Sequence, residues 1–253
     1  MEITSILFSP TGGTKKVSAL LSKKLGTVKK EINLADPHEN FEAIALSKED
    51  ICVIAVPSFG GRVPAVAVER LSLLKGNGAR AILVTVYGGR EFEDTLAELR
   101  DAAVSAGFVP AAAVSALAEH SVVRRICAGR PDAQDAAQLE GFANEIRTVL
   151  ERGSKAEPRI PGNRPYKEYK GSPARPAASD ACTGCGICAQ VCPVEAIPAA
   201  APSTMEPDRC IACMACAAAC PVGARSIDPA FQEKIGAMLD KACAQRKENQ
   251  LYL

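Results

Sequence analysis

Residues 182–193 read Cys-Thr-Gly-Cys-Gly-Ile-Cys-Ala-Gln-Val-Cys-Pro, and residues 210–221 read Cys-Ile-Ala-Cys-Met-Ala-Cys-Ala-Ala-Ala-Cys-Pro. Both follow one spacing, Cys-x2-Cys-x2-Cys-x3-Cys-Pro, at an offset of 28 residues, and together they hold eight of the 11 cysteines. The exits match as well, Pro193-Val194 and Pro221-Val222, so the stretch is a duplicated half-site. Three thiols two residues apart wrap one tight turn around a compact group. The x3 step sends the fourth thiol elsewhere, and the following proline stops the turn. Gly184, Gly186, Ala189, Ala212, Ala215, Ala217, Ala218 and Ala219 keep the space between the thiols small, so backbone N–H groups can approach whatever the thiols hold.

This is the spacing of two cubane iron–sulfur clusters, in which the fourth Cys of each run ligates the other cluster. Cys182, Cys185, Cys188 and Cys220 are the expected ligands of one [4Fe-4S] cluster. Cys192, Cys210, Cys213 and Cys216 are those of the second. Zinc prefers four ligands in paired knuckles, often with His, and no His stands nearby. Disulfides require an oxidising compartment, which nothing in the sequence signals. Every ligand position is a Cys, which speaks against a three-iron cluster. The segment resembles the bacterial-type two-cluster ferredoxins over roughly residues 176–228.

A chain of 253 residues exceeds a lone module of this kind and has room for two domains. The net charge of +1 gives no bulk attraction to nucleic acid or a membrane surface. No apolar run reaches the ~18 residues of a membrane span. The start Met1-Glu2-Ile3-Thr4-Ser5 lacks the basic opening of a signal peptide. With the spare Cys52, Cys127 and Cys243, the expectation is a cytoplasmic protein in a reducing setting.

Ahead of the cysteines, strand and helix patterns alternate. Residues 3–8 form an apolar strand. Ser9-Pro10-Thr11-Gly12-Gly13-Thr14 follows, and then a helix with Val17, Leu20, Leu21 and Leu25 on one face. Strand, glycine-rich turn and helix start make a phosphate cradle: glycines let the backbone close on an anion that the helix N-terminus favours. Neither GxGxxG nor GxxxxGK[ST] is present, so a neutral cradle for a phosphomonoester is expected. The bland alternative is a helix cap and a turn. Further strands are expected at 27–34, with Val28, Ile32 and Leu34 inward, and at 51–56, 80–86 and 108–117. Helices are expected at 64–74, 91–106 and 132–151. The result is an α/β fold with a five-stranded parallel sheet, order 2-1-3-4-5, and a ligand at the carboxyl ends of the strands.

Ser9-x-Thr11-Gly12-x-Thr14 after the first strand resembles the phosphate loop of the flavodoxins, which bind FMN. Two later loops each place one aromatic before Gly-Gly-Arg: Pro57-Ser58-Phe59-Gly60-Gly61-Arg62 and Tyr87-Gly88-Gly89-Arg90. The resemblance implies that Phe59 and Tyr87 neighbour the isoalloxazine, while Gly60, Gly61, Gly88 and Gly89 let main chain approach its polar edge. Flavodoxins often carry Trp in the first of these loops, and this chain has none. Arg62 and Arg90 either favour an anionic reduced flavin, bind an anionic substrate, or are solvated. His120, in the loop after strand 5, is a candidate proton donor or substrate contact, set against a capping role. His38 receives no functional role. Cys52 and Cys127 lack ligand spacing and count as small apolar residues.

Residues 153–176 are rich in Pro and Gly and basic, a linker that either tethers freely or drapes over a flavin or an acidic partner, with Tyr166 and Tyr169 suited to packing. The expected division is 1–152, a flavodoxin-like FMN domain; 153–176, linker; 177–228, a small α+β two-cluster ferredoxin domain; and 229–253, a C-terminal amphipathic helix. Phe231, Ile235, Met238, Leu239 and Ala242 give that helix an apolar side, which packs on the other domains or in a homodimer. Nearly the whole chain resembles the flavodoxin–ferredoxin fusion proteins. The expected function is electron transfer between two [4Fe-4S] clusters and FMN, with redox proteins as partners. The alternatives are an FMN-dependent reductase of a small organic substrate and a flavin-free ferredoxin with a docking domain.

Overall fold

The computed structural model describes residues 1–153 and 157–253. Lys155, one of the linker's basic residues, lies outside the described residues. The first half alternates strand and helix: β1 (Glu2–Leu7), α1 (Gly13–Leu25), β2 (Thr27–Asn33), β3 (Ile51–Pro57), α2 (Ala65–Leu73), β4 (Arg80–Tyr87), α3 (Thr95–Ser105), β5 (Val109–Leu117) and α4 (Ala133–Glu151). The parallel order is 2-1-3-4-5, the flavodoxin-like order. β3 shows why a continuous apolar run was required. Cys52, Ile54 and Val56 enter the core under α2 and α3, while Val53 and Ala55 enter the core under α1 and α4. β2, on the sheet edge, departs from the expected alternation: Ile32 is buried, but Val28 is 43 % exposed.

The sheet has a sixth strand. β8 (Gln250–Tyr252) runs antiparallel to β5, pairing Val114 with Leu251. The residues before it are pinned to the start of α4. Asn249 accepts from the Leu117 amide and donates to Asp135, which is fully buried and ion-paired to Arg130. Arg130 in turn donates to the Lys247 carbonyl, and Arg246 pairs with Asp132, the N-cap of α4. A three-residue strand with no strong pattern of its own is thus fixed by polar anchors, so periodicity does not reveal it.

The cysteine-rich segment is built from β6 (Ala177–Ala178), α5 (Ile187–Gln190), α6 (Ala215–Ala219) and β7 (Arg225–Ser226), with β6 and β7 paired antiparallel. Its duplication extends to the backbone. Gly184, Gly186 and Gly223 have positive φ, and so do Ala212, Met214 and Glu195, the residues one repeat away. Helix α7 (Pro229–Ala242), capped by the Asp228 carboxylate on the Phe231 amide, follows. Its Leu239 and Ile235 pack against Val123 and Ile126 in the loop after β5. Residues 157–176 have little regular structure but are anchored. Arg164 and the Tyr166 hydroxyl bond Asp101, Asn163 and the Lys167 amide bond Asp94, and the Lys167 ammonium bonds Glu93. Those acids explain why α3 starts at Thr95 rather than 91: Glu93 has φ 45, and Glu91–Asp94 form a loop that turns carboxylates toward the linker. Among the described residues, no helix is long and apolar enough to cross a membrane.

Candidate functional site

At the carboxyl ends of the strands lie two cavities that share six wall residues: Ser58, Phe59, Tyr87, Gly88, His120 and Ser121. The smaller, of about 70 Å³, reaches the β1–α1 turn and is walled there by Pro10, Thr11, Gly13 and Thr14. Gly12, with φ 88, makes the turn into α1, whose first-turn amides lack helical acceptors by construction. Ser9 caps instead of lining: its hydroxyl accepts from the Lys15 amide at 2.9 Å. The larger cavity, of about 290 Å³, lies at the small end of the range for small-molecule sites.

The two Gly-Gly-Arg loops divide their labour. Gly60 faces the larger cavity, and an added Cβ there would meet the Tyr169 ring at 2.4 Å. Linker residue Tyr169 therefore packs directly against the first loop. Gly61 faces Glu93 instead, and Gly89 faces the sulfurs of Cys127 and Cys243. Gly88 packs under His120: a Cβ would stand 2.5 Å from the ring and 2.9 Å from the His120 Cα. Tyr87 is buried, tilted against Phe92 at 5.4 Å, and burial pushes its hydroxyl up to about 12.

Both arginines are neutralised. Arg62 turns out of the cavity into a two-pronged pair with Glu98, at 2.7 and 2.8 Å, and stacks on Tyr166. Arg90 stays in the cavity wall but pairs with Glu93 at 3.0 Å. His120 Nδ1 accepts from the Val122 and Val123 amides, at 3.2 and 3.1 Å. Burial, then the Arg90 charge, lowers its pKa to about 4. The ring is therefore neutral with its proton on Nε2, a hydrogen-bond donor rather than an acid.

The linker and α7 form part of the larger cavity's wall. Tyr169, the segment Gly171–Ala174, Ile235, Met238 and Leu239 form that part. The sequence offered a linker draped over a flavin as one alternative, with Tyr169 suited to packing, but did not bring Ile235, Met238 and Leu239 of α7 to the site. A basic, tyrosine-bearing linker facing an acidic α3 edge was the visible signal.

The cysteines form two quartets. Cys182, Cys185, Cys188 and Cys220 line one small cavity, and Cys192, Cys210, Cys213 and Cys216 line another. The fourth cysteine of each run thus stands with the three of the other. Among the described residues no three His, Cys, Asp or Glu side chains converge tightly enough for a single metal ion. Each quartet lines its own cavity. Burial, with added repulsion from neighbouring thiols, pushes Cys213 up to about 12 and Cys216 up to about 11, so cationic iron is needed to hold these sulfurs as thiolates. Backbone amides support the crossing ligands symmetrically: Ala196 donates to Cys192 Sγ and Ala224 to Cys220 Sγ, both at 3.2 Å. For Cys220, burial raises the pKa, but amides from Arg225, Val222, Ala224 and Gly223 outweigh it and hold the thiol below its ordinary value. Arg225, 3 % exposed, lies between the quartets, lining the first cavity and lowering the pKa of Cys216 in the second.

The two halves meet at the site. Arg70 on α2 donates to the Leu34 carbonyl at 2.7 Å and to the Pro193 carbonyl at 2.6 Å. Ala212 enters the wall of the larger cavity and Cys213 that of the smaller.

Residues 181–224 match the family model of the 4Fe-4S dicluster domain. No curated protein matches the chain. Among solved structures, a flavodoxin of Streptococcus pneumoniae TIGR4 matches at 19 % identity, over 58 % of this chain and 99 % of that one, with a TM-score of 0.41. Flavodoxin 1 of Bacillus cereus matches at 12 %, over 58 % and 98 %, with a TM-score of 0.43. The rubredoxin oxygen:oxidoreductase of Desulfovibrio gigas matches at 15 %, over 60 % of this chain and 36 % of that one, with a TM-score of 0.40. The strand order gives the first half its flavodoxin-like fold, the family model gives the second half its iron–sulfur character, and the chain as a whole fits a flavodoxin–ferredoxin fusion. Its broad function is electron transfer.

Proposed function

We propose that the chain holds two [4Fe-4S] clusters and one FMN, and that single electrons pass between clusters and flavin within one molecule. The observation that carries this is the position of Cys213, a member of the second quartet that also lines the smaller cavity together with Thr11, Thr14 and His120. The quartets fit cubanes by their thiol chemistry and amide donors. The joined cavities fit a flavin phosphomonoester by the Gly12 turn at one end and the aromatic-lined space at the other. FMN supplies chemistry in one- or two-electron steps, and each cluster supplies one electron at a time.

The chain's residues bind and orient. Thr11, Gly13 and Thr14 receive the phosphate at the α1 N-terminus. Phe59 and Tyr87 flank the ring space, Gly88 permits close main-chain approach, and His120 offers its Nε2–H to the ring's polar edge. Arg90 shares the Glu93 carboxylate with the Lys167 ammonium beside the ring. The quartet of Cys182, Cys185, Cys188 and Cys220 is the outer one, with Cys185 exposed, and faces redox partner proteins.

The test is an anaerobic preparation assayed for iron, sulfide and flavin, followed by reductive titration with absorbance and EPR. About eight irons and one FMN per chain are expected. Flavin reduction by reduced clusters should be first order and independent of protein concentration. Eight irons without flavin would leave the flavin-free ferredoxin. A rate proportional to protein concentration would refute transfer within one chain.

One observation favours reductase activity as well. The linker and α7 add walls to the ring side and leave an opening into a cavity of small-molecule size. Turnover of small organic acceptors with reduced clusters as donor measures it, and no turnover across acceptor classes leaves the carrier role alone.

A further inference from the structure

Two cysteines outside the quartets come together at the cavity. Cys127 lies in the loop after β5 and Cys243 is the C-cap of α7. A Cβ placed on Gly89 would stand 2.7 Å from Cys127 Sγ and 3.2 Å from Cys243 Sγ, so the two sulfurs are separated by at most the sum of those distances. Both are half-buried free thiols packed on one apolar cluster with Val123, Ile126 and Leu239. Gly89, with φ 97, gives the sulfurs their room, and its neighbours Gly88 and Arg90 are cavity wall. Burial, the largest cause in each case, raises both thiol pKa values, and the Cys127 charge further disfavours ionisation of Cys243. The cationic groups facing the pair are Arg130 and Arg246 on the Cys127 side and Lys247 and Arg90 on the Cys243 side. The facing carboxylates are Asp135 and Asp240.

We propose that Cys127 and Cys243 form a reversible dithiol–disulfide site, oxidised by small disulfides, that latches the end of α7 against the wall of the larger cavity. The thiolate of one cysteine attacks a sulfur of the small disulfide, forming a mixed disulfide and expelling one small thiolate, which takes up a proton. The second cysteine, as thiolate, attacks the protein-side sulfur, forming the Cys127–Cys243 bond and expelling the second small thiolate. Two electrons leave the protein sulfurs, and the external disulfide becomes two thiols. A small dithiol reverses both steps. The consequence follows from where α7 sits. Ile235, Met238 and Leu239 wall the cavity, while polar ties of the helix to the loop after β5 include the exposed Arg125–Asp240 pair and the Gln232 bond to the Val122 carbonyl. A covalent bond at its C-terminal end ties that wall directly to the loop after β5, in addition to the packing of Leu239 and the anchors at Arg246, Lys247 and Asn249. The latch needs only the two thiols and is independent of what occupies the cavity.

The test uses the full holoprotein, prepared anaerobically, treated with oxidised glutathione or with dithiothreitol, alkylated, digested and mapped by mass spectrometry. A peptide joining Cys127 to Cys243 is expected as the main species after oxidised glutathione, and its loss after dithiothreitol. The oxidised form should also unfold at a higher temperature than the reduced form, a difference that C243S abolishes. Separate glutathione adducts on Cys127 and Cys243, free alkylated thiols at both, or cross-links from either to the quartets would overturn the site. Equal unfolding temperatures despite a mapped bond would overturn the latch.

Discussion

Gly88→Ala tests the close packing on which the flavin reading rests. The added methyl would stand 2.5 Å from the His120 ring, 2.8 Å from its Cβ and 2.9 Å from its Cα. The ring alone could swing away, but the Cα is main chain. The His120 amide is held by the Ile126 carbonyl, and its Nδ1 by the Val122 and Val123 amides. Relief therefore requires the Tyr87–Arg90 loop or the His120 loop to move outward or into the shared cavity. Overpacking of this sort costs about 1–3 kcal/mol. If the strain falls on the bound state, FMN affinity drops by roughly 5- to 150-fold, at tenfold per 1.4 kcal/mol. The assay is FMN titration of the flavin-stripped protein by fluorescence quenching, with thermal unfolding of the same samples. An affinity within twofold of the parent, with unchanged stability, would refute the argument that Gly88 permits close approach between these loops.

Three further outcomes follow from other parts of the molecule. Asp135→Asn leaves Arg130 buried without its counter-charge and loosens the anchor of β8, so chemical denaturation should show a loss of roughly 3–5 kcal/mol; a loss under 1 kcal/mol would mean that β8 is held by other contacts. Arg225→Leu removes the cation between the quartets and should lower cluster potentials by about 60 mV if its charge is worth ~1.4 kcal/mol to the reduced state, read by EPR-monitored titration; unchanged potentials would make Arg225 a purely structural tie to the Pro202 and Thr204 carbonyls. His120, neutral when folded with a pKa near 4 against about 6.5 unfolded, binds fewer protons in the native state between those values. Stability should therefore rise with pH across that window, by at most about 1.4 kcal/mol per unit, and His120→Gln should flatten the slope.

Much of this was legible because the signals were periodic or strictly spaced. The apolar run at 51–56 demanded a central strand covered on both faces, and β3 is that strand. The Cys-x2-Cys-x2-Cys-x3-Cys-Pro runs implied exchange of the fourth cysteine, and the two quartets are composed that way. What escaped has no period. β8 exists because Asn249 can satisfy Leu117 and Asp135 together, a relation between residues more than a hundred positions apart. Val28 looked inward by alternation, but an edge strand leaves such a position uncovered. Arg62 looked like a site residue from its Gly-Gly-Arg setting, and only the fold brings Glu98 within reach of it. The meeting of Cys127 with Cys243 depends on α7 folding back over the first domain, which no local pattern encodes.

The part that the linker and α7 take in the wall of the larger cavity bears on how electrons enter under the proposed function. In an open flavin site a protein partner can touch the ring edge directly. Here Tyr169 packs against Gly60, and Gly171–Ala174 and α7 form part of the cavity wall. The linker is held by Glu93, Asp94 and Asp101 through several charge-assisted bonds, so displacing it means breaking a network rather than moving a loose loop. A large partner is thus directed to the outer quartet, where Cys185 is exposed, while buried Cys213 faces the inner cavity. Lys167→Glu places like charge against Glu93 and should open that cover. Under the proposed function, it should let an external protein reductant reach the flavin without the clusters, measured as flavin reduction in cluster-depleted protein. If the variant and parent reduce at the same rate, the linker does not control access, and the order of partner, outer quartet, inner quartet and flavin loses its structural basis.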